Sequence, residues 1–495
     1  MTHMSRWLPT AMLAVFTCWS WGCAKPLHFP TDSMPAPARS AGASAAYDTD
    51  GDARADFFTF ADPNGRINRI GYDSTANGAC KQILDLDAIP PTHCRHLVII
   101  LDGFGYDVVK RYYDAGGLRM FHPPSRVVAP YPTLTDLCIE DILGYIPCRG
   151  FEAEYFDTRK NKLAGGAWDY VTGKNQPYNR LLAYRANLIW DAVSYVAPWE
   201  VFGKELNDIV RFFNRAEGRE TLAYLVSSAG VSTKYGASGQ QRALKQVERL
   251  ILQVLWQTRG LTEVTLLADH GHSYVQSTRI PLEEHLRGRA WRLSESLRGD
   301  RDVVSTRFGL ETYAGFSTRH PAELAADLAA CTGVDLVSYA DQDTVVVLSA
   351  DGGQAIIHRH PGRCAYKTLR GDPLKLAAIL SSLQADADGF YDDDQVLSAT
   401  ATHAYPAPLE RLWRAHFASA ENVPDVIVSL ENRFYYGSRN FAGAIKVAST
   451  HGGLNYSNST TFVMSTIGPL PPLMRSADIP AHMKRLTART WPSRD

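Results

Sequence analysis

An unbroken run of apolar, largely β-branched residues that ends in an aspartate constrains the fold of this 495-residue chain most strongly. The run is His96–Leu101, and it ends at Asp102, which Gly103 follows. A strand inside a parallel sheet is covered on both faces, so its sequence is apolar throughout and does not alternate. The sequence therefore predicts a buried parallel strand that delivers Asp102 at its carboxyl end.

Two further runs resemble the first in composition. Residues 263–268 follow an amphipathic helical stretch at 240–258, and residues 424–429 follow a helical segment at 408–417. Strands that alternate with helices are typical of an α/β fold. We expect a doubly wound, mostly parallel sheet with helices on both faces, in which ligands gather beyond the carboxyl ends of the strands.

Between residues 334 and 357 the pattern changes to short alternating strands with a turn at Asp351-Gly352-Gly353. This pattern predicts a β-hairpin. We expect a small inserted β-rich cap at about residues 300–375, after which the chain returns to helix at 374–383.

Composition bounds the partners and the domain count. Lys and Arg total 51 against 52 for Asp and Glu, and no basic stripe stands out, so a nucleic acid partner is not expected. A chain that is 45% hydrophobic can bury a large core. We expect one catalytic domain at 95–480 and a C-terminal tail at 481–495.

The amino-terminal residues predict export. Arg6 precedes an apolar run from Trp7 to about Phe16, and small residues with a cysteine close the segment at Gly22-Cys23, which is the pattern of a signal peptide at 1–23. Residues 20–23 resemble a bacterial lipobox without its usual leucine, so lipid attachment at Cys23 and plain cleavage both stay open. Residues 24–46, rich in Pro, Ala and Ser, have the composition of a tether. We expect a periplasmic or outer-membrane-tethered protein that meets the membrane only at its front end.

The segment 47–94 begins with carboxylates that alternate around a glycine. Such a loop offers oxygen ligands to Ca²⁺, although Thr59 stands where an EF-hand has its glutamate. A solvated acidic turn is the other interpretation. The candidate calcium ligands are Asp48, Asp50, Asp52 and Asp56.

Six cysteines beyond the signal segment fall in sequence-close pairs. In an oxidising compartment, close spacing favours local disulfides over a metal cluster, because no CxxC spacing occurs. The predicted pairs are Cys80 with Cys94, Cys138 with Cys148, and Cys331 with Cys364.

Metal-assisted phosphoryl transfer needs ligands for a divalent cation and a nucleophile that the cation activates. Asp102 closes one predicted strand, and Asp269 with His270 closes another. Adjacent oxygen and imidazole ligands suit zinc or manganese. Thr135 lies between these strands, before a helix-like segment that its hydroxyl is placed to cap.

Four motifs carry a resemblance to a known family. They are Leu101-Asp102-Gly103-Phe104, Tyr131-Pro132-Thr133-Leu134-Thr135, Asp269-His270-Gly271 and Thr450-His451-Gly452-Gly453. Their sequences and order resemble the type I phosphodiesterase/nucleotide pyrophosphatase branch of the alkaline phosphatase superfamily over residues 95 to 465. The resemblance implies that Thr135 is the nucleophile. It implies that Asp102, Thr135, Asp269 and His270 hold one metal ion, and that His451 belongs to a second.

Two departures from the family pattern affect this expectation. Ala229 and Thr233 stand where the resemblance places an Asp and a His of the second metal site, so that ion is absent or is completed by another ligand such as His272. Glu154 or Asp157 stands where relatives have an asparagine that binds a phosphoryl oxygen. We therefore expect one or two Zn²⁺ ions, with Mn²⁺ as the alternative metal.

The expected function is an exported, metal-dependent phosphoester hydrolase that acts on a small phosphoester or a lipid head group through a threonine nucleophile. A single-metal phosphotransferase and a catalytically degenerate, phosphate-binding scaffold are the alternatives. Sulfate ester cleavage is not expected, because the nucleophile region lacks a Cys/Ser-x-Pro-x-Arg motif.

Overall fold

The computed structural model describes residues 36–144, 147–166, 169, 176–307, 309–437 and 447–492. The predicted signal segment and lipobox at Cys23, most of the tether and the last three residues lie outside the described residues. The strands are β1 Arg39–Ala41, β2 Ser44–Tyr47, β3 Phe57–Ala61, β4 Ile67–Tyr72, β5 Gln82–Asp85, β6 Arg95–Leu101, β7 Ser125–Val128, β8 Glu154–Asp157, β9 Lys162–Gly165, β10 Tyr184–Arg185, β11 Glu220–Leu225, β12 Thr262–Ala268, β13 Thr278–Arg279, β14 Arg292–Leu293, β15 Asp302–Ser305, β16 Leu310–Glu311, β17 Tyr313–Thr318, β18 Val334–Asp341, β19 Thr344–Ser349, β20 Gln354–His360, β21 Arg363–Arg370, β22 Tyr391–Asp392, β23 Val426–Leu430, β24 Phe434–Gly437, β25 Thr460–Ser465 and β26 Leu473–Arg475.

Helices connect many of these strands. They are α1 Tyr106–Asp114, α2 Thr135–Leu143, α3 Leu188–Ser194, α4 Pro198–Arg215, α5 Ser227–Gln257, α6 Leu282–Gly288, α7 Pro321–Ala329, α8 Ala377–Leu380, α9 Asp393–Ala399, α10 Pro408–Phe417, α11 Tyr456–Ser459 and α12 Ile479–Thr487. The predicted helix at 408–417 coincides with α10, whereas only 377–380 of the stretch predicted at 374–383 is helical. Among the helices described, none is both long and apolar enough to cross a bilayer.

A seven-stranded sheet has the order β10-β11-β6-β12-β25-β7-β26. Strands β10, β11, β6 and β12 are parallel to their neighbours, β25 is antiparallel to both of its neighbours, and β7 is parallel to β26. Strand β6 lies between β11 and β12, so its carboxyl end is in the middle of the sheet. The expected doubly wound, mostly parallel α/β sheet is confirmed.

The sheet is covered on both faces because successive side chains of a strand point to opposite sides. On one face, Leu97, Ile99 and Leu101 of β6 pack into a core shared with α1, α4 and α5. On the other face, Val98 and Ile100 pack with residues of α2 and α12. This double burial explains why β6 is apolar without alternation.

A second sheet has the order β14-β15-β17-β23-β18-β19-β20-β21-β22, and apart from the β14–β15 pair its strands are antiparallel. The β19–β20 hairpin around Asp351 and Gly352 is formed as predicted. The β-rich region is nevertheless larger than the expected cap at 300–375, because its strands extend from Arg292 to Asp392 and include β23.

The placement of residues 424–429 in the parallel sheet was wrong. This run forms β23, which pairs antiparallel with β17 and β18 in the second sheet. All five residues of β23 are buried, as its apolar sequence indicates. Apolar composition predicts burial on both faces, but it does not determine which sheet or which direction a strand takes.

The two sheets meet at the segment before α2. Tyr131, Leu134 and Leu137 belong to the same core cluster as Leu336 and Ile427 of the second sheet. Residues further along α2, such as Ile139, pack against the seven-stranded sheet. The start of α2 is therefore held between both layers.

A five-stranded antiparallel meander, β1 to β5, precedes the seven-stranded sheet. Its first two strands occupy 39–41 and 44–47, so the last residues of the expected tether at 24–46 form strands instead. The acidic loop lies between β2 and β3. There, Asp48, Asp50 and Asp56 bring carboxylate oxygens within 4.8 Å of one another, while Asp52 is not part of this group.

The carboxylates of the loop already accept backbone hydrogen bonds. Asp48 accepts from Gly51 and Ala53, and Asp56 accepts from Thr49. Such contacts are also typical of an acidic turn without an ion. Calcium at this loop stays a prediction.

The three predicted disulfides are not formed. Each of the six cysteines in the described residues is a free thiol: Cys80, Cys94, Cys138, Cys148, Cys331 and Cys364. The thiol of Cys148 lies near Glu140, and that of Cys364 lies near Asp393. Sequence proximity favours a pair, but a disulfide also requires Cβ atoms about 4 Å apart and facing each other.

Candidate functional site

Asp102 follows β6 and lies in the interior, with 5% of its surface exposed. The hydroxyl of Tyr224 donates a hydrogen bond to its Oδ2. Its Oδ1 is buried and has no hydrogen-bond partner. Burial, with a further contribution from the neighbouring Asp269, raises the pKa of Asp102 well above its usual value.

Asp269 and His270 follow β12, the parallel neighbour of β6. Oδ1 of Asp269 accepts hydrogen bonds from the backbone N–H of Gly103 at 2.9 Å and of His270 at 2.8 Å. Its Oδ2 is buried without a hydrogen-bond partner. Burial raises the pKa of Asp269. Both aspartates therefore have one anchored oxygen and one open oxygen.

The tautomer of His270 follows from its hydrogen bonds. Nδ1 lies 2.9 Å from the carbonyl oxygen of Gly271, which can only accept, so Nδ1 carries the proton. Nε2 is left with a lone pair, 3.7 Å from Oδ1 of Asp102 and 3.5 Å from Oδ2 of Asp269. Burial lowers the pKa of His270 to about 4, so its ring is neutral at pH 7.

Thr135 is the first residue of α2. Its Oγ1 lies 3.4 Å from Nε2 of His270, and its side chain is only half-buried. Because Nε2 carries a lone pair, the hydroxyl is the donor in this long contact. The N-cap residue of α2 is Leu134, whose apolar side chain cannot accept a hydrogen bond. The N–H groups of the first turn therefore have no side-chain cap from that residue.

His451 lies next to this group. Its Nδ1 donates to the carbonyl oxygen of Thr133 at 2.9 Å, and its ring stacks on that of His270 with 3.9 Å between centroids. Burial, with the neighbouring His270, lowers the pKa of His451 well below its usual value. The group whose ligand atoms all lie within 4.8 Å consists of Asp102, Asp269 and His270, and it does not include His451.

Ala229 and Thr233 are buried in α5 and offer no strong metal ligand. The backbone carbonyl of Thr233 instead accepts hydrogen bonds from Ala448 at 2.9 Å and Ser449 at 3.2 Å. Helix α5 therefore supports the chain just before His451 by its backbone.

The carboxylates considered in place of an asparagine have partners outside the group of Asp102, Thr135, Asp269 and His270. Glu154 accepts a hydrogen bond from the backbone of Arg307, and Asp157 pairs with Lys160. Sequence reasoning missed another pair, Glu152 and Glu311, whose carboxyl groups are hydrogen-bonded to each other. Burial and Glu152 raise the pKa of Glu311 well above its usual value.

Glu311 lies beside the loop of His451. A side chain on Gly452 would meet Cβ of Glu311 at 3.2 Å, and the backbone N–H of Thr312 donates to the carbonyl of His451 at 2.6 Å. No motif marked Glu311, because it lies in the β-rich region where the family pattern is matched only loosely.

His272, which the sequence suggested only as an alternative ligand, is fully buried. Its Nδ1 lies 2.7 Å from Oγ of Ser449, and its Nε2 has no hydrogen-bond partner. The alternation in Asp269-His270-Gly271-His272 was the only sequence signal for it.

The donor set fits a divalent cation. Two open carboxylate oxygens, on Asp102 and Asp269, and one imidazole lone pair, on His270, converge within 4.8 Å, with the Thr135 hydroxyl beside them. Buried polar atoms without partners are rare in folded proteins, and a bound ion satisfies them. Mixed oxygen and imidazole ligands suit zinc or manganese.

Comparison with known proteins gives a likeness in structure only. No family model matches the chain, and no curated protein matches it. Among solved structures, murine ectonucleotide pyrophosphatase/phosphodiesterase 5 is similar at 12% identity and a TM-score of 0.43, over 81% of this chain and 97% of that chain. Human ectonucleotide pyrophosphatase/phosphodiesterase 5 is similar at 12% identity and a TM-score of 0.43, over 81% of this chain and 96% of that chain. An inactive variant of the murine protein in complex with AMP is similar at 11% identity and a TM-score of 0.41, over 81% of this chain and 97% of that chain.

Proposed function

We propose that this chain is a metal-dependent phosphoester hydrolase of the type I phosphodiesterase kind, and that Thr135 is its nucleophile. One observation carries the proposal. The Thr135 hydroxyl lies 3.4 Å from an imidazole lone pair of His270, which in turn lies within 4 Å of two open carboxylate oxygens. A helix-capping threonine needs no such neighbours.

Asp102, Asp269, His270 and Thr135 would hold one divalent cation. Such a cation lowers the pKa of a bound hydroxyl and offsets the charge of a phosphoryl group. The hydrogen bond from Tyr224 orients Asp102, and the backbone N–H groups of Gly103 and His270 orient Asp269.

The start of α2 serves the phosphoryl group. N–H groups of the first turn have no partner within the helix, and the positive end of the helix dipole favours an anion there. Oγ of Thr135 attacks phosphorus, the bond from phosphorus to the leaving alcohol breaks, and the proton that Oγ loses is balanced by the one that the leaving oxygen gains. Water then attacks the phosphothreonine, the bond from phosphorus to Oγ breaks, and a proton from the water restores the hydroxyl of Thr135 as the second product leaves. Substrates of the proposed class are small phosphoesters, including those of lipid head groups.

The test is hydrolysis of bis-p-nitrophenyl phosphate and p-nitrophenyl phosphate by the purified chain with Zn²⁺ or Mn²⁺. Thr135→Ala is expected to lose at least about 10³-fold in kcat/KM, as removal of a nucleophile does elsewhere. Thr135→Ser keeps a hydroxyl and is expected to retain activity and to yield a phosphorylated residue 135 on trapping.

Thr278→Ala is the matched control, because Thr278 is exposed on β13. It is expected to leave kcat/KM unchanged. Equal rates for wild type and Thr135→Ala across both substrates and both metals would favour the phosphate-binding scaffold and contradict the proposal.

A further inference from the structure

The imidazole ring of His272 has one nitrogen, Nε2, without a hydrogen-bond partner. The residue is fully buried, and Nε2 has no hydrogen-bond partner, although Nδ1 contacts Oγ of Ser449 at 2.7 Å. An unpaired polar atom in the interior destabilises the folded chain, because it has lost its hydrogen bonds to water and gained none. Buried polar atoms without partners are rare in native structures, and many of them bind a ligand or take part in function.

His451 and His270 share one arrangement of their nitrogens. In each ring Nδ1 donates to a backbone carbonyl, of Thr133 and of Gly271 respectively, so each Nε2 carries a lone pair. A histidine that binds a metal usually donates its other ring N–H to a carbonyl, carboxylate or similar group. His272 has the same arrangement when its Nδ1 donates to Ser449.

Ring geometry sorts the three imidazoles into two groups. His270 and His451 stack with 3.9 Å between centroids and 20° between planes, so their lone pairs lie in separate, nearly parallel planes, which disfavours binding to one ion. His272 and His451 are 5.3 Å apart and tilted by 55°. Two imidazoles bound at about 2.0–2.1 Å to one tetrahedral zinc ion have centroids about 5 Å apart. The second pair therefore has the spacing of two ligands to a common cation.

We propose that Nε2 of His272 and Nε2 of His451 hold a second divalent cation of the zinc class, next to the ion assigned to Asp102, Asp269 and His270. The inference deepens the proposed function and rests on it for the first ion. His272 takes the place of ligands that Ala229 and Thr233 do not provide.

Helix α5 supports this site. The carbonyl of Thr233 accepts from the backbone N–H of Ser449, and Oγ of Ser449 contacts Nδ1 of His272. The backbone N–H of Tyr274 also donates to Oγ of Ser449, at 2.8 Å. The helix thus fixes the ring through Ser449 instead of binding the ion itself.

Two protein ligands leave several coordination positions open for oxygen atoms of water or of a phosphoester. We therefore expect the second ion to bind more weakly than the first. Such an ion would add positive charge near His270, on whose ring that of His451 stacks, and would supply charge stabilisation for a phosphoryl group.

The first experiment counts ions on the full chain. Metal-free protein is titrated with Zn²⁺ against a chromophoric chelator, with elemental analysis of the product. Wild type is expected to show a strong and a weaker site. His272→Ala is expected to keep only the strong one, and Asp269→Asn is expected to lose the strong one. A single site in wild type, or unchanged binding in His272→Ala, overturns the proposal.

A second experiment, proton NMR of the Co²⁺-loaded protein, identifies the histidine ligands. In the protein loaded with Co²⁺, each histidine that binds through Nε2 gives one exchangeable, hyperfine-shifted Nδ1–H proton resonance. Wild type is expected to give three such resonances. His272→Asn, which keeps an amide that can bond to Ser449, is expected to lose the signals of both His272 and His451. Three resonances in folded His272→Asn contradict the inference.

His416→Ala is the matched control, because His416 is a buried histidine whose Nε2 contacts Ser338 of the second sheet and not a residue of the proposed site. It is expected to keep both ions and all three resonances. If phosphodiesterase activity needs Thr135 but the chain binds one ion, the further inference fails alone. If two ions bind but Thr135→Ala is as active as wild type, the proposed function fails alone.

Discussion

The hydroxyl of Tyr224 donates a hydrogen bond to Oδ2 of Asp102 in the interior of the seven-stranded sheet. Tyr224 lies on β11 and Asp102 directly follows β6, two parallel neighbours, so the contact fixes the carboxylate across adjacent strands. Only Oδ1 is left to face His270 and Asp269. The tyrosine therefore determines which oxygen of Asp102 is available to a cation.

Tyr224→Phe removes this hydrogen bond and keeps the packing of the ring. We expect the affinity for the first Zn²⁺ ion to fall by about 10-fold, since outer-shell hydrogen bonds to ligands typically contribute 10- to 100-fold. Competition with a chromophoric chelator measures the change. Tyr178→Phe is the control, because Tyr178 is equally buried and its hydroxyl donates to Asp136 at 2.5 Å. Equal affinities for the two variants would contradict the role of Tyr224.

Arg411 of α10 ties together two loops of the site. The buried guanidinium donates to the carbonyl of Pro130, before Thr135, and to that of Leu454, after His451. Arg411→Met removes the donor to the Pro130 carbonyl and leaves the Leu454 carbonyl with Oγ of Ser459 as its remaining donor, so we expect a loss of up to about 3 kcal/mol in the free energy of unfolding. Urea denaturation followed by circular dichroism gives the value.

Arg414→Met, on the same helix, is the comparison for Arg411→Met. Arg414 is partly exposed and pairs with Asp141, and such pairs contribute at most about 1 kcal/mol. Equal urea midpoints for the two variants would show that Arg411 does not hold the loops.

The sequence predicted the part of the site on the parallel strands, because the carboxyl ends of neighbouring parallel strands meet at one edge of the sheet. An apolar run that ends in a carboxylate predicts a buried strand and places its last residue at the sheet edge, and Asp102 and Asp269 meet for that reason. Local pattern did not reveal contacts across sheets. Residues 424–429 look like a parallel strand, yet their pairing with β17 and β18 depends on tertiary packing.

Contacts between distant segments set the rest of the site. Glu311 reaches the loop of His451 from β16, and His272 depends on Ser449, which is 177 residues away. The prediction of the three cysteine pairs was wrong because it too relied on closeness in sequence and not on tertiary packing. Cys138 and Cys148 are close in sequence, but the Cys148 side chain lies near Glu140 and neither cysteine is in a disulfide.

Gly103 is the close-approach point between β6 and the histidines. Its φ is +71°, and a Cβ there would lie 2.7 Å from Cδ2 of His272 and 3.4 Å from Cε1 of His270. Gly103→Ala is expected to combine left-handed strain of about 1–2 kcal/mol with this clash. We expect a loss of more than about 2 kcal/mol in the free energy of unfolding, together with weaker Zn²⁺ binding.

Gly352→Ala separates the two effects. Gly352 has φ +84° in the β19–β20 turn, and the nearest atom to an added Cβ is 3.8 Å away on Arg370. This variant is expected to lose about 1 kcal/mol, from strain alone, with metal binding unchanged. If both alanine variants have the same urea midpoint and the same affinity for Zn²⁺, the crowding at Gly103 has no effect.

Glu205 predicts a pH dependence of stability. This residue of α4 is fully buried and accepts a hydrogen bond at 2.9 Å from the backbone of Ser227, at the start of α5. Burial raises the pKa of Glu205 from 4.5 to about 7. Between these values the folded chain keeps a proton that the unfolded chain has lost. The free energy of unfolding therefore falls as pH rises from 4.5 to about 7 and levels off above it.

Glu205→Gln removes this titration. Because the amide also changes the absolute free energy of unfolding, the quantity to compare is the change of that free energy with pH in each protein. Wild type is expected to lose up to about 3 kcal/mol relative to the variant between pH 4.5 and pH 7.5, because one pKa unit corresponds to about 1.4 kcal/mol. Urea denaturation at half-unit pH steps measures both curves. Glu200→Gln, exposed on the same helix, is expected to follow wild type. Parallel curves for wild type and Glu205→Gln would mean that Glu205 is ionised in the folded chain throughout this range.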